Sequence, residues 1–135
     1  MTIRNQNFEV CRGDSHTIHT TLTQADGTSF DPTLGAILRW RMTRNLDDED
    51  DAVIRKDLTN GITASPGAID IALTPGETDV KPGLYYHELK VWDGTDVSTA
   101  MEGYVWVRRS ARMGQTVISL QGNVAIERKL PTRTP

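Results

Sequence analysis

The chain has 135 residues, of which 37% are hydrophobic, and a net charge of −3, so it is long enough for one domain with a buried core. Its only cysteine is Cys11, which excludes an internal disulfide and predicts a small buried hydrophobic residue in a protein of a reducing cytoplasm. No apolar run approaches the ~20 residues of a membrane-spanning helix, and Met1 to Asn7 lacks the apolar stretch of a secretory signal, so we predict a soluble protein without membrane contact.

Most of the chain shows strand patterns and no helical periodicity. Runs rich in Val, Ile, Thr, Tyr and Trp alternate hydrophobic with polar residues and are separated by Gly, Pro and Asp. The predicted strands are, in chain order, 8–11, 15–23, 36–44, 52–58, 62–63, 68–73, 84–92 and 96–109.

Three positions within these strands carry specific expectations. Trp40 shares a face with Leu38 and Met42, so it is predicted to be the central core aromatic, with an indole N–H that needs a buried partner or a wet edge. Asp93 and Gly94 predict a tight hairpin turn, and Gly103 predicts a bulge inside the last strand.

The strand pattern predicts the fold class. About seven short strands with turns every ~8–12 residues indicate an all-β protein, namely an antiparallel β-sandwich over residues 1–109. A small closed barrel is the alternative architecture. Residues 110–135 are predicted to form an extended C-terminal arm, with one or two short strands around Gly122 and Asn123.

Charge separates this arm from the sandwich. Residues 108–135 contain six basic residues and one acidic residue, whereas the rest of the chain contains nine basic and 17 acidic residues. The arm is therefore either a solvated tail or a segment that meets an acidic surface, on its own sandwich or on a neighbouring copy. Nucleic-acid binding is disfavoured, because the body is acidic and the arm has no aromatic side chain for base stacking.

The residues predict no enzyme. His16, His19 and His87 are expected at the surface or at a sheet edge, and no nucleophile elbow, zinc-ligand spacing or glycine-rich phosphate cradle appears. No cofactor or metal is therefore predicted.

An acidic run lacks the spaced ligands and glycine of a calcium loop, and we interpret it as a solvated or partner-facing loop. Its members are Asp47, Asp48, Glu49, Asp50 and Asp51.

A set of ordered features resembles a known family. Gly13-Asp14 precedes a threonine-rich strand, DPTLGA spans 31–36, IDIALTPGETDVKPGLYYHELKV spans 69–91, and GYVWV spans 103–107. Over residues 8–109 this order is similar to the immunoglobulin-like domains of tailed-bacteriophage virion proteins, such as the N-terminal domain of the baseplate upper protein. The resemblance implies an immunoglobulin-like antiparallel β-sandwich that serves as a structural virion component without catalytic residues. It would be assembled in the host cytoplasm as a capsid decoration, a neck or tail part, or a fibre adaptor.

The leading hypothesis joins this resemblance to the arm. The chain would dock onto other virion proteins and copies of itself by adding arm strands to a neighbour's sheet edge, while basic side chains pair with acids of the partner. The arm residues assigned to this role are Val117, Ile118, Leu120, Val124, Ile126, Arg112, Arg128 and Lys129.

The alternative hypothesis is a module that binds carbohydrate or a cell surface. Sugar rings stack on exposed aromatic side chains, and alternation along the last two predicted sandwich strands places four aromatics outward or at a sheet edge. They are Tyr86, Trp92, Tyr104 and Trp106.

Overall fold

A computed structural model describes residues 2–44, 52–109 and 117–124 of the chain. These residues form nine strands and one helical turn. They are β1 (Phe8–Cys11), β2 (His16–Gln24), β3 (Ile37–Thr43), β4 (Ala52–Asp57), β5 (Ile62–Ser65), β6 (Ala68–Leu73), α1 (Pro75–Thr78), β7 (Gly83–Asp93), β8 (Asp96–Arg108) and β9 (Val117–Val124). The all-β prediction is confirmed, and the strand count is nine rather than about seven.

The strands form two sheets, so the fold is a sandwich and the barrel alternative is wrong. One sheet has five strands in the order β1-β8-β7-β3-β4, and the other has four in the order β5-β6-β2-β9. Most neighbours are antiparallel, but β1 runs parallel to β8 and β9 runs parallel to β2. The inner faces of both sheets pack into one hydrophobic core.

The strand order is that of an immunoglobulin sandwich. Strands β2 to β8 occupy, in sequence, the positions of immunoglobulin strands B, C, C′, D, E, F and G. Trp40 lies buried on β3, the strand that carries the core tryptophan in that fold. At the start of β7 the Tyr85 hydroxyl donates to the carbonyl oxygen of Lys81 at 2.5 Å, which is the tyrosine corner of immunoglobulin-like domains.

The C-terminal segment β9 belongs to this sandwich. It pairs with β2 over its whole length, from Thr17 opposite Val117 to Gln24 opposite Val124. Ile118, Leu120 and Val124 are buried in the shared core. The predictions that the sandwich ends at residue 109 and that this segment forms a separate arm are therefore wrong, because alternate side chains of β9 fill the core of its own chain.

The core tryptophan has a buried histidine as its partner. The Trp40 indole Nε1–H donates to Nδ1 of His87 at 3.0 Å, which is the buried partner and not the wet edge of the two predicted alternatives. Because Nδ1 accepts this bond, the ring proton lies on Nε2, which donates to the carbonyl oxygen of Gln6 at 2.6 Å. Burial lowers the pKa of His87 from 6.5 to about 4, and the ring is neutral.

The histidines therefore do not all lie where the sequence placed them. His87 is fully buried and His16 is buried with its Nε2 accepting from the Cys11 N–H at 3.2 Å. His19 lies on the opposite side of β2, beside Asp70 at 2.6 Å. The surface prediction is wrong for His16 and His87, because they occupy inward-facing positions of β2 and β7. The predicted burial of Cys11 is confirmed.

The residues before β1 cover the free edge of β8. The Gln6 N–H donates to the carbonyl oxygen of Glu102 at 3.0 Å, and the Gln6 side-chain oxygen accepts from the Gln121 N–H at 2.8 Å. A Cβ on Gly103 would lie 2.4 Å from the Gln6 carbonyl oxygen. Gly103 thus permits a close backbone approach and does not mark a bulge; the register shift falls earlier in β8, where Ala100 is the extra residue.

Candidate interaction surface

The outer faces of the two sheets differ in chemistry. The exposed side chains on the four-stranded sheet are mostly small or polar, including Thr21, Thr63, Asp70, Ser119 and Gln121. The outer face of the five-stranded sheet carries aromatic, aliphatic and paired charged side chains. We call it the outer GFC face, because β8, β7 and β3 occupy the G, F and C positions of the sandwich.

One end of this face carries an aromatic platform, formed by Leu84, Tyr104 and Trp106. Leu84 and Trp106 lie opposite each other on β7 and β8, and Tyr104 lies two residues before Trp106 on the same side. They are exposed by 54%, 44% and 48% respectively, although large apolar side chains are usually covered. The platform borders a depression of about 320 Å³ that Asn7 and Glu9 also line.

The other end carries an apolar row, formed by Ile37, Trp92 and Val97. Trp92 lies opposite Ile37 on one side and opposite Val97 on the other, so the row crosses β3, β7 and β8. Ile37 and Val97 are 54% and 52% exposed, and Trp92 is half-buried. The guanidinium of Arg39 lies 5.2 Å from the centre of the Trp92 ring, a cation–π contact.

A charged band separates the platform from the row. Its members follow one another across the sheet in register, with Glu102 on β8, Glu88 on β7, Arg41 on β3 and Arg55 on β4. Arg41 Nε lies 2.7 Å from Glu88 Oε1, and both side chains are largely buried. The band is acidic on the β8 side and basic on the β4 side, so the sign of its charge changes across the sheet.

Tyr86 connects the charged band to the platform. Its hydroxyl donates to the Glu102 carboxylate, and its ring makes an edge contact with Tyr104 at 6.1 Å between centroids. Burial and the bond to Glu102 both raise the pKa of Tyr86, so the phenol stays protonated at all physiological pH values. The aromatic pair is thereby fixed in place on the sheet.

The predicted aromatic positions share one sheet face but lie at both of its ends. Tyr86, Trp92, Tyr104 and Trp106 all project from the outer GFC face, with Tyr104 and Trp106 exposed and the other two half-buried. Leu84, Ile37 and Val97 also belong to this surface, although they were not predicted as site residues. The same alternation that placed Trp92 outward also applied to these three aliphatic residues.

The other predicted site residues have different outcomes. Val117 is exposed on β9, whereas Ile118, Leu120 and Val124 fill the core. Ile126, Arg112, Arg128 and Lys129 lie outside the described residues, and so does the acidic run Asp47, Asp48, Glu49, Asp50 and Asp51.

No group of three or more His, Cys, Asp or Glu side chains in residues 2–44, 52–109 and 117–124 is placed to hold a metal ion. Within the same ranges, no helix is long and apolar enough to span a membrane.

Neither a protein-family model nor a curated protein matches the chain.

Proposed function

We propose that this chain is a non-catalytic structural subunit of a tailed-bacteriophage virion, and that it packs against other virion proteins and copies of itself through the outer GFC face. The observation that carries the proposal is the exposure of two apolar clusters on one sheet face, while the opposite outer face is mostly polar. Exposed apolar clusters framed by polar residues are typical of protein contact sites.

The resemblance supports the kind of assembly. Two segments carry the resemblance. Residues 31–36 (DPTLGA) lead into β3, and residues 69–91 form most of the β6–α1–β7 region. Both segments are part of the sandwich and do not form a separate site. The proposed contact surface replaces the C-terminal arm as the docking element, since β9 is already used within this chain.

The proposal is tested by locating the protein. Particles released by the cells that encode this chain are purified on a density gradient, and their proteins are identified by mass spectrometry. We expect the chain in the particle fraction, in a constant ratio to the other particle proteins. Its presence only among the unassembled proteins would contradict the proposal.

A second candidate function is favoured by the depression at the aromatic platform. Trp106 and Tyr104 present exposed rings, and Asn7 and Glu9 at the rim offer polar groups of the kind that bind sugar hydroxyls. Binding on a glycan array that disappears in Trp106→Ala but persists in Val117→Ala would favour a carbohydrate-binding module.

A further inference from the structure

We propose that a second copy of this chain docks on the outer GFC face, related to the first by a two-fold axis that runs along β7. This inference rests on the proposed function, because it names the partner of the proposed contact surface. Strand β7 is the middle strand of its sheet, with β8 and β3 as immediate neighbours. A two-fold rotation about β7 therefore places β3 of one copy over β8 of the other.

The apolar row matches itself under this rotation. Trp92 lies on the axis, with Ile37 one strand to one side and Val97 one strand to the other. Each copy would place its Ile37 against Val97 of the second copy, and the two Trp92 side chains would meet at the axis. All of these contacts are apolar, and they would cover two side chains that are more than half exposed in the single chain.

The charged band is complementary to itself under the same rotation. Arg41 on β3 would approach Glu102 on β8 of the second copy, so a basic position faces an acidic one twice in the dimer, in addition to the Arg4 guanidinium that lies 3.4 Å from Glu102 in the same chain. Glu88 lies on the axis, and its charge is already compensated by Arg41 of the same chain at 2.7 Å. A two-fold axis that placed each strand over the same strand of the second copy would instead bring Glu102 over Glu102.

The face is of the size that a stable dimer needs. Its outward residues extend along β7 from Leu84 to Trp92, which corresponds to roughly 27 Å, and its five strands are roughly 24 Å across. The projected area of the flat sheet, about 650 Å², approaches the ~800 Å² per partner of a standard interface. Side chains that project from the sheet add to the accessible area that the second copy would bury.

Sedimentation of the full chain tests this arrangement. We expect a concentration-dependent species of twice the 15.0 kDa mass of the chain. Val97→Glu and Ile37→Lys should each weaken the dimer by at least about tenfold, because each buries a charge opposite an aliphatic side chain. Val117→Glu is the matched control: Val117 is 51% exposed, but it lies on the other sheet, so its change should leave the mass unchanged.

Mixing the two weakened variants tests the two-fold axis itself. A mixed dimer would have one new carboxylate–ammonium pair and one unchanged Ile37–Val97 contact, so we expect the mixture to form dimers that neither variant forms alone. A monomeric wild-type chain, or a mixture that stays monomeric, would overturn the arrangement. Detection of the chain in purified particles is a separate result, so the proposed function stands or fails independently.

Discussion

Replacing Gly103 with alanine should destabilise the folded chain by about 3 kcal/mol or more. The added Cβ would lie 2.4 Å from the Gln6 carbonyl oxygen, and the nearby atoms are backbone atoms that cannot rotate away. Gln6 is also the point where three bonds meet, to Glu102, Gln121 and His87. Displacing it weakens all three bonds, each of which stabilises the fold by about 1 kcal/mol.

Urea unfolding followed by tryptophan fluorescence measures this loss. Gly76→Ala is the matched control, because a Cβ on Gly76 meets no atom within 4 Å and its backbone lies outside the left-handed region. We expect the control to remain within about 0.5 kcal/mol of the wild type. If Gly103→Ala were as stable as Gly76→Ala, the close approach of the N-terminal segment to β8 would be wrong.

The wild-type chain should lose about 2 kcal/mol of stability from the titration of His87 as the pH falls from about 7.5 to about 5. The pKa of His87 is about 4 in the folded chain and near 6.5 when the ring is exposed. The unfolded chain therefore binds the proton first, and stability is present above pH 6.5 and lost as the pH falls toward 4. The groups that face the ring are Trp40, Phe8, the Gln6 carbonyl and, at longer range, Glu102.

The variant His87→Gln isolates this titration. A glutamine side chain offers an acceptor for Trp40 and a donor for the Gln6 carbonyl but gains no proton in this range. Unfolding free energies measured across the pH range should change by about 2 kcal/mol less in His87→Gln than in the wild type. Equal pH dependence in wild type and His87→Gln would contradict the buried neutral ring.

Alternation of side chains predicted most of the strands. On β2, Ile18, Thr20 and Leu22 are buried while the intervening threonines and His19 are not, as their period of two required. Each predicted strand up to residue 109 agrees with the structure to within two residues at either end. The prediction succeeded because each strand has one face on the core and one toward solvent. This arrangement produces the alternation of hydrophobic and polar residues that is visible in the sequence of each strand.

Pairing between distant strands was not predictable in the same way. The apolar residues around Gly122 and Asn123 indicated one or two short strands, but no local feature specified β2 as their partner. The basic residues around β9 suggested a segment separate from the acidic body. The position of β9 is instead determined by the burial of Ile118, Leu120 and Val124. The close approach of Gln6 to Gly103 is likewise a contact between segments far apart in sequence.

The candidate surface was predicted in part. Alternation placed Trp92 and Trp106 outward, but the aliphatic residues beside them were treated as ordinary strand residues. Only the register of β3, β7 and β8 brings Ile37 and Val97 to either side of Trp92. A surface depends on cross-strand neighbours, and those neighbours depend on pairing that a single sequence does not specify.

The most direct test of the outer GFC face is hydroxyl-radical footprinting of the isolated chain and of its assembled form. We expect Trp106 and Tyr104 to react readily in the isolated chain, where they are 48% and 44% exposed, and to be protected after assembly. His19 on the opposite outer face should stay reactive, and buried Trp40 should be unreactive in both forms. Equal reactivity of Trp106 and Tyr104 before and after assembly would contradict the account, because the chain would then assemble through another surface.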